Sequence, residues 1–170
     1  LRPNVPESKH DLAKKELAGY YAHITALDDC LKEIIQTLKT LGIEENTILV
    51  FTSDHGDLLW SQGQPRKQRP WDESIRVPFL LRYPAQLGHS GRIIPLPINA
   101  MDVMPTLLGL SRLPIPGTVE GKDFSSVIRG EETIDDYAAI LMCVAPFGNF
   151  QREKHGGKEY RGVRTKRYTY

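Results

Sequence analysis

The chain has 170 residues, with 40% hydrophobic and 25% charged side chains, and Lys+Arg 22 against Asp+Glu 21 leaves a formal net charge of +1. That length suits one globular domain of ordinary size. The even charge gives no electrostatic footing for nucleic acid or an anionic membrane, and no apolar run reaches the roughly 20 residues of a membrane span.

Pro3, Asn4 and Pro6 suit an extended entry segment. From residue 11 to 41, apolar side chains recur at Leu17, Tyr20, Ile24, Leu27, Leu31, Ile34, Ile35, Leu38 and Leu41. Steps of three and four predict one long helix with a single buried stripe. Gly42 then fits the left-handed position that closes a helix. Residues 47–52 are β-branched and apolar with little alternation, which predicts a strand covered on both faces. Helix, short loop and buried strand make half of a βαβ unit. Residues 53–75 form a long polar, basic loop, of the kind that is functional or mobile. Residues 76–83 read as another strand with Pro78 near its start. Asp102 is expected to N-cap a helix through residue 110, with Pro105 in its first turn. A proline-rich loop (113–121), a short helix (124–128) ended by Gly130, a strand (138–144) and a hairpin (162–170) with Lys166 and Arg167 near its turn complete the pattern. Cys30 and Cys143 read as small core residues, without zinc spacing. Leu1 is not a methionine and Tyr170 falls within a strand-like stretch, so both ends read as cut, with room for a targeting segment upstream.

The chemistry gathers at Thr52-Ser53-Asp54-His55-Gly56-Asp57. In open α/β sheets, ligands bind outside the carboxyl ends of strands. Asp54 and His55 therefore read as metal ligands, and Gly56 as the residue that lets the backbone pass close to the ion. Oxygen donors favour Ca²⁺, Mg²⁺ or Mn²⁺, and the imidazole also admits Zn²⁺. The alternative is a helix-capping aspartate beside a loop histidine. A divalent cation needs four to six donors, so others must come from elsewhere. Asp57 is one candidate, although it reads better as an outer or solvent-facing carboxylate, and Asp28 and Asp29 read as a solvated helix face or as partners for a nearby cation. Downstream, Gly63-Gln64-Pro65-Arg66-Lys67-Gln68-Arg69-Pro70-Trp71 packs three cations into four residues. A basic loop over a metal suits a sulfate or phosphate ester, whose oxygens a lysine can neutralise. An ordinary solvated loop is the alternative.

Together these motifs, with Pro70-Trp71-Asp72-Glu73-Ser74-Ile75-Arg76-Val77-Pro78, Tyr20-Tyr21-Ala22 and Asp102-Val103-Met104-Pro105-Thr106-Leu107-Leu108, resemble the C-terminal half of the sulfatase catalytic domain, in the alkaline-phosphatase-like superfamily. The resemblance runs from about residue 20 to 170. It implies an α/β fold, a mostly parallel sheet flanked by helices, as a partial domain over residues 1–137, with a small antiparallel C-terminal piece over 138–170. It implies a sulfuric ester hydrolase with a calcium-type site, Mn²⁺ or Mg²⁺ being alternatives. Asp54 and His55 match the family's downstream metal pair, Asp-Asn in other members. Lys67 matches the lysine that contacts the sulfate group. Arg66 and Arg69 have no counterpart. Where members commonly carry Gly-Glu-His-Gly, this chain has Trp60-Ser61-Gln62-Gly63.

The family's formylglycine nucleophile arises within Cys/Ser-x-Pro-x-Arg. That motif is absent from these 170 residues, as are the paired upstream aspartates. The expectation is half a catalytic domain, inactive alone, whose partner is the N-terminal half of its own domain and whose substrate is a small-molecule or carbohydrate sulfate ester. A phosphodiester or phosphonate monoester hydrolase of the same superfamily and a non-catalytic module retaining the fold are the rivals. The resemblance also suggests an exported or periplasmic protein.

Overall fold

A computed structural model of the chain describes residues 1–144 and 159–170. The long amphipathic period forms α1 (His10–Thr40). Gly42 closes it at φ +67°, its N–H donating to the Lys39 carbonyl at 3.0 Å and that of Ile43 to the Leu38 carbonyl at 3.1 Å. The stripe itself is not buried. Tyr20 is 43% exposed, Leu27 56% and Leu41 63%, and Ala13 is the helix's buried residue. The expectation of a covered stripe is corrected: among the described residues Leu17, Leu31, Ile35 and Leu38 are half-buried and the rest of the stripe is open. Cys30 lies on the open length of α1, exposed rather than in a core, while Cys143 is half-buried.

After a 3₁₀ turn (Glu44–Asn46), the chain enters β1 (Leu49–Thr52). Its partner is β2 (Phe79–Arg82), antiparallel, with Leu49 opposite Arg82 and Thr52 opposite Phe79. Pro78 immediately precedes β2, where no ladder N–H is needed. β1 is not covered on both faces, since Phe51 and Leu80 are exposed. Parallel neighbours for β1 are not among the described residues; the strand pairs there are antiparallel. Residues 53–75 are partly ordered by a 3₁₀ turn (Ser61–Gly63) and α2 (Asp72–Ile75).

The chain divides into two units, Leu1–Ala85 and Gln86–Tyr170, with the short α3 (Pro84–Leu87) spanning the change. In the second unit, α4 (Ala100–Leu110) begins three residues earlier than expected. Asn99, not Asp102, is the N-cap residue. Asp102 stands at the third helical position and its Oδ2 accepts the Asn99 N–H at 2.8 Å. Pro105 therefore falls inside the helix and leaves the Met101 carbonyl without its helical donor. That carbonyl faces Gly121, where any Cβ would collide with it.

Asp102 is fully buried and fully used: Oδ1 accepts the Lys122 N–H at 2.8 Å, and Oδ2 also accepts the Tyr137 hydroxyl at 2.7 Å. Burial and this bond hold the Tyr137 phenol above its ordinary pKa. Tyr137 packs edge-on against Phe124, ring centroids 4.9 Å apart. Asp102→Ala would strand three donors at once. It is expected to lower stability by about 3 kcal/mol or more, read by urea unfolding; a loss below about 1 kcal/mol would reject the anchoring role.

α5 (Ser125–Arg129) ends at Gly130, φ +81°. β3 (Ala139–Cys143) and β4 (Tyr160–Arg164) pair antiparallel, Ala139 opposite Arg164. The final hairpin forms as expected: Val163 and Tyr170 exchange backbone hydrogen bonds, and the Tyr168 N–H donates to Thr165 Oγ1 at 2.8 Å. Residues 145–158 of the expected C-terminal piece lie outside the described residues.

Candidate active site

β1 delivers Asp54 and His55 two and three residues past its end. Asp54 Oδ1 is engaged locally, accepting the His55 N–H at 2.9 Å. Its Oδ2 is turned to the imidazole, 3.3 Å from His55 Nε2. The ring tautomer follows from its partners. The Gly56 carbonyl, 2.8 Å from Nδ1, can only accept, so Nδ1 carries the hydrogen. The Lys67 ammonium, 2.5 Å from Nε2, can only donate, so Nε2 carries a lone pair. Two electron-rich atoms thus face each other with no proton of their own between them, and an ammonium stands against the pair. That is a donor set suited to a cation. The Asp54 side chain is 80% exposed and that of His55 37%, so the pair is open to solvent. Desolvation pushes the Asp54 carboxyl up, but the positive charge carried by the hydrogen-bonded His55–Lys67 pair and the backbone N–H groups of His55 and Asp54 outweigh it and hold its pKa below 3.8. Among the described residues, no third Asp, Glu, His or Cys joins the pair to complete a metal-binding group. The residues fit a divalent cation as part of its shell, the imidazole tautomer being the one a metal requires.

The loop from 57 to 69 is what brings Lys67 back. Asp57 Oδ1 accepts the Leu59 N–H at 2.8 Å, so this carboxylate shapes the turn and lies outside the donor pair. The Leu58 N–H donates to the Arg66 carbonyl at 2.7 Å and closes the excursion at its neck. Leu58 itself is fully buried. Leu59, Trp60, Gln62, Arg66 and Gln68 all have positive φ, a concentration of backbone strain that only a tightly tied loop sustains. The ties are visible. Trp60 Nε1 donates to Glu16 at 2.6 Å beneath the Lys9 ammonium, and the Gln62 N–H donates to the Asn4 carbonyl at 3.0 Å.

Ser74 locks both ends together. Its carbonyl accepts the Gly56 N–H at 2.9 Å and its buried hydroxyl accepts the Arg69 N–H at 3.3 Å. The Gly56 Cα lies so close to the Glu73 carbonyl that no Cβ fits. The expectation that Gly56 makes room for an ion is therefore corrected: the room it makes is for the backbone of α2. Ser74 and Glu73 were missed as site residues, although Asp72-Glu73-Ser74-Ile75-Arg76 is conspicuous as a motif. Glu73 accepts from Asn4 Nδ2 at 3.1 Å and pairs with Arg2 at 3.4 Å. Desolvation raises its carboxyl, yet the Asn4 amide, its own backbone N–H, the Ser61 hydroxyl and Arg2 together keep its pKa below 4.5. A depressed folded pKa stabilises above the unfolded value and is lost as pH falls through the folded one. Glu73→Gln is expected to flatten the stability loss below pH 4.5, in urea unfolding run from pH 7 to 3; an unchanged acid limb would refute it.

The family model described as Sulfatase matches residues 2–113, and the model for the N-sulphoglucosamine sulphohydrolase C-terminal region matches residues 63–170. The chain belongs to the sulfatase family. An ulvan-active sulfatase from Formosa agariphila is 43% identical, over 100% of this chain and 33% of its own length. A solved structure from work on glycosaminoglycan metabolism by Bacteroides thetaiotaomicron superposes with TM-score 0.81 at 31% identity, over 99% of this chain and 35% of that one. A protein solved in complex with its substrate D-glucosamine-2-N,6-O-disulfate gives 0.69 at 26%, over 86% and 29%. The phosphonate monoester hydrolase of Agrobacterium radiobacter gives 0.72 at 27%, over 89% and 31%. The alkaline-phosphatase-like α/β fold is thus the right class, and the chain spans about a third of the length of its curated relatives. Sulfatases are as a family metal-dependent. No helix among the described residues is long and apolar enough to cross a membrane.

Proposed function

We propose that this chain forms the C-terminal part of the catalytic domain of a hydrolase acting on sulfate esters of carbohydrates. One observation carries the proposal: Asp54 Oδ2 and His55 Nε2 meet at 3.3 Å with Lys67 Nζ against them. Asp54 and His55 hold part of a divalent cation, Ca²⁺ in the first instance. The bound cation supplies Lewis-acid polarisation of a sulfate oxygen. The His55 Nδ1–H bond to Gly56 keeps the Nε2 lone pair aimed at the site. Lys67 contacts a sulfate oxygen and neutralises its charge, a contact worth most where charge grows on the ester. The nucleophile, a formylglycine, and the remaining donors belong to the other half of the domain. The glucosamine disulfate and ulvan named for related proteins support a sulfated carbohydrate as substrate.

The test is calcium titration of the full-length protein and its Asp54→Ala variant, with hydrolysis of 4-nitrophenyl sulfate alongside. Asp54→Ala is expected to lose calcium binding and to lower kcat/KM by about 10²–10³. Equal calcium affinity in both proteins would sink the proposal. The isolated 170-residue chain is expected to hydrolyse nothing, and measurable turnover by it would place the nucleophile within these residues.

A phosphonate monoester hydrolase is the second reading, favoured by the 0.72 superposition at 27% identity. The ratio of kcat/KM for 4-nitrophenyl sulfate to that for a phenyl phosphonate ester decides between them. A non-catalytic module has less support, since it gives no reason for two lone pairs to converge beside an ammonium.

A further inference from the structure

Three cations sit in the loop that carries Lys67, and the site accounts for one of them. Arg69 is engaged: its guanidinium donates to the Gln68 carbonyl at 3.2 Å and to Gln64 Oε1 at 3.5 Å. Arg66 is different. It is exposed, and no hydrogen bond or ion pair of its guanidinium is found among the described residues. Its backbone is fixed at φ +66°, a conformation that favours glycine or asparagine, and is pinned there by the Leu58 N–H on its carbonyl. An arginine thus occupies a strained position that gives its side chain no partner among the described residues. It stands one residue before the lysine that faces the metal pair.

Strain of this kind persists where it serves a site. A guanidinium offers five N–H donors in a planar fork that matches the oxygens of a sulfate or carboxylate. We propose that Arg66 is a second anion-binding contact, which takes a further sulfate or carboxylate of a polyanionic carbohydrate while Lys67 takes the sulfate to be cleaved. The inference rests on the carbohydrate sulfatase reading and deepens it. It makes the preferred substrate one that carries at least two negative groups on the same or adjacent sugars.

The test uses the full-length protein and Arg66→Gly, which removes the guanidinium while relieving the positive φ, so the loop keeps its path. Calorimetry follows binding of inorganic sulfate and of sulfated tetrasaccharides cut from ulvan and from heparin, at low and raised NaCl. Arg66→Gly is expected to weaken at least one tetrasaccharide by about three- to tenfold, to flatten its salt dependence, and to leave inorganic sulfate unchanged. Arg66→Lys should restore part of the loss. Identical tetrasaccharide affinities for wild type and Arg66→Gly, or no tetrasaccharide binding at all, overturn the inference. A matching loss of inorganic sulfate also overturns it, because Arg66 would then share the Lys67 contact. Intact 4-nitrophenyl sulfate turnover in these cases leaves the sulfatase reading standing; its absence in wild type removes that reading instead.

Discussion

Lys67→Met in the full-length protein is expected to lower kcat/KM for a sulfate ester by about 10²–10³ while tightening divalent cation binding. The two effects have one cause. The ammonium is the positive charge nearest the Asp54–His55 pair and donates to the lone pair that a metal would take. Removing it costs the ester its charge partner and relieves the cation of a neighbouring like charge. For a doubly charged ion about 4 Å from an ammonium in water-like surroundings that repulsion is worth roughly 2 kcal/mol, about a thirtyfold gain in cation affinity. A lysine outside the site would change neither quantity. Slow turnover with unaltered metal affinity would separate Lys67 from the donor pair. Faster or unchanged turnover would end its role as sulfate contact.

Gly56→Ala should be the most damaging small substitution. The new methyl would meet the Glu73 carbonyl, which is backbone and cannot rotate away. Either α2 shifts, breaking the Gly56–Ser74 bond, or residues 54 to 56 shift and the donor pair opens. The expected cost is about 3 kcal/mol in stability. A displacement near 1 Å at the site is expected to lower kcat/KM by about 10². The checks are urea unfolding and calcium titration on the same samples. An alanine variant with native stability and native calcium affinity would contradict the close approach.

Much of this was readable from residues alone, because the relevant signals are local. The period in α1 is a property of one helix, and Gly42 ends it by its own backbone freedom. Asp54, His55 and Lys67 stand in motifs whose order is specific. What the sequence hid depends on where distant segments pass. The stripe on α1 records the kind of surface that face must meet, not whether these residues provide it. Asn99 and Asp102 are both good capping residues, and either could start the helix; only tertiary packing, which sets the Asp102 carboxylate against the Lys122 N–H and the Tyr137 hydroxyl, decides for Asn99. The reason for Gly56 lies with Glu73, which reaches it only after the loop has turned back.

The uncovered ridge of α1 has a cellular consequence. Tyr20, Leu27, Ile34 and Leu41 present a hydrocarbon strip to water along most of a 31-residue rod. Produced by itself, such a segment would look to a cell like an unfinished product. It would recruit chaperones, bind a dye such as ANS and clump at modest concentration. Co-expression with the remainder of the domain should restore solubility without any change to this sequence.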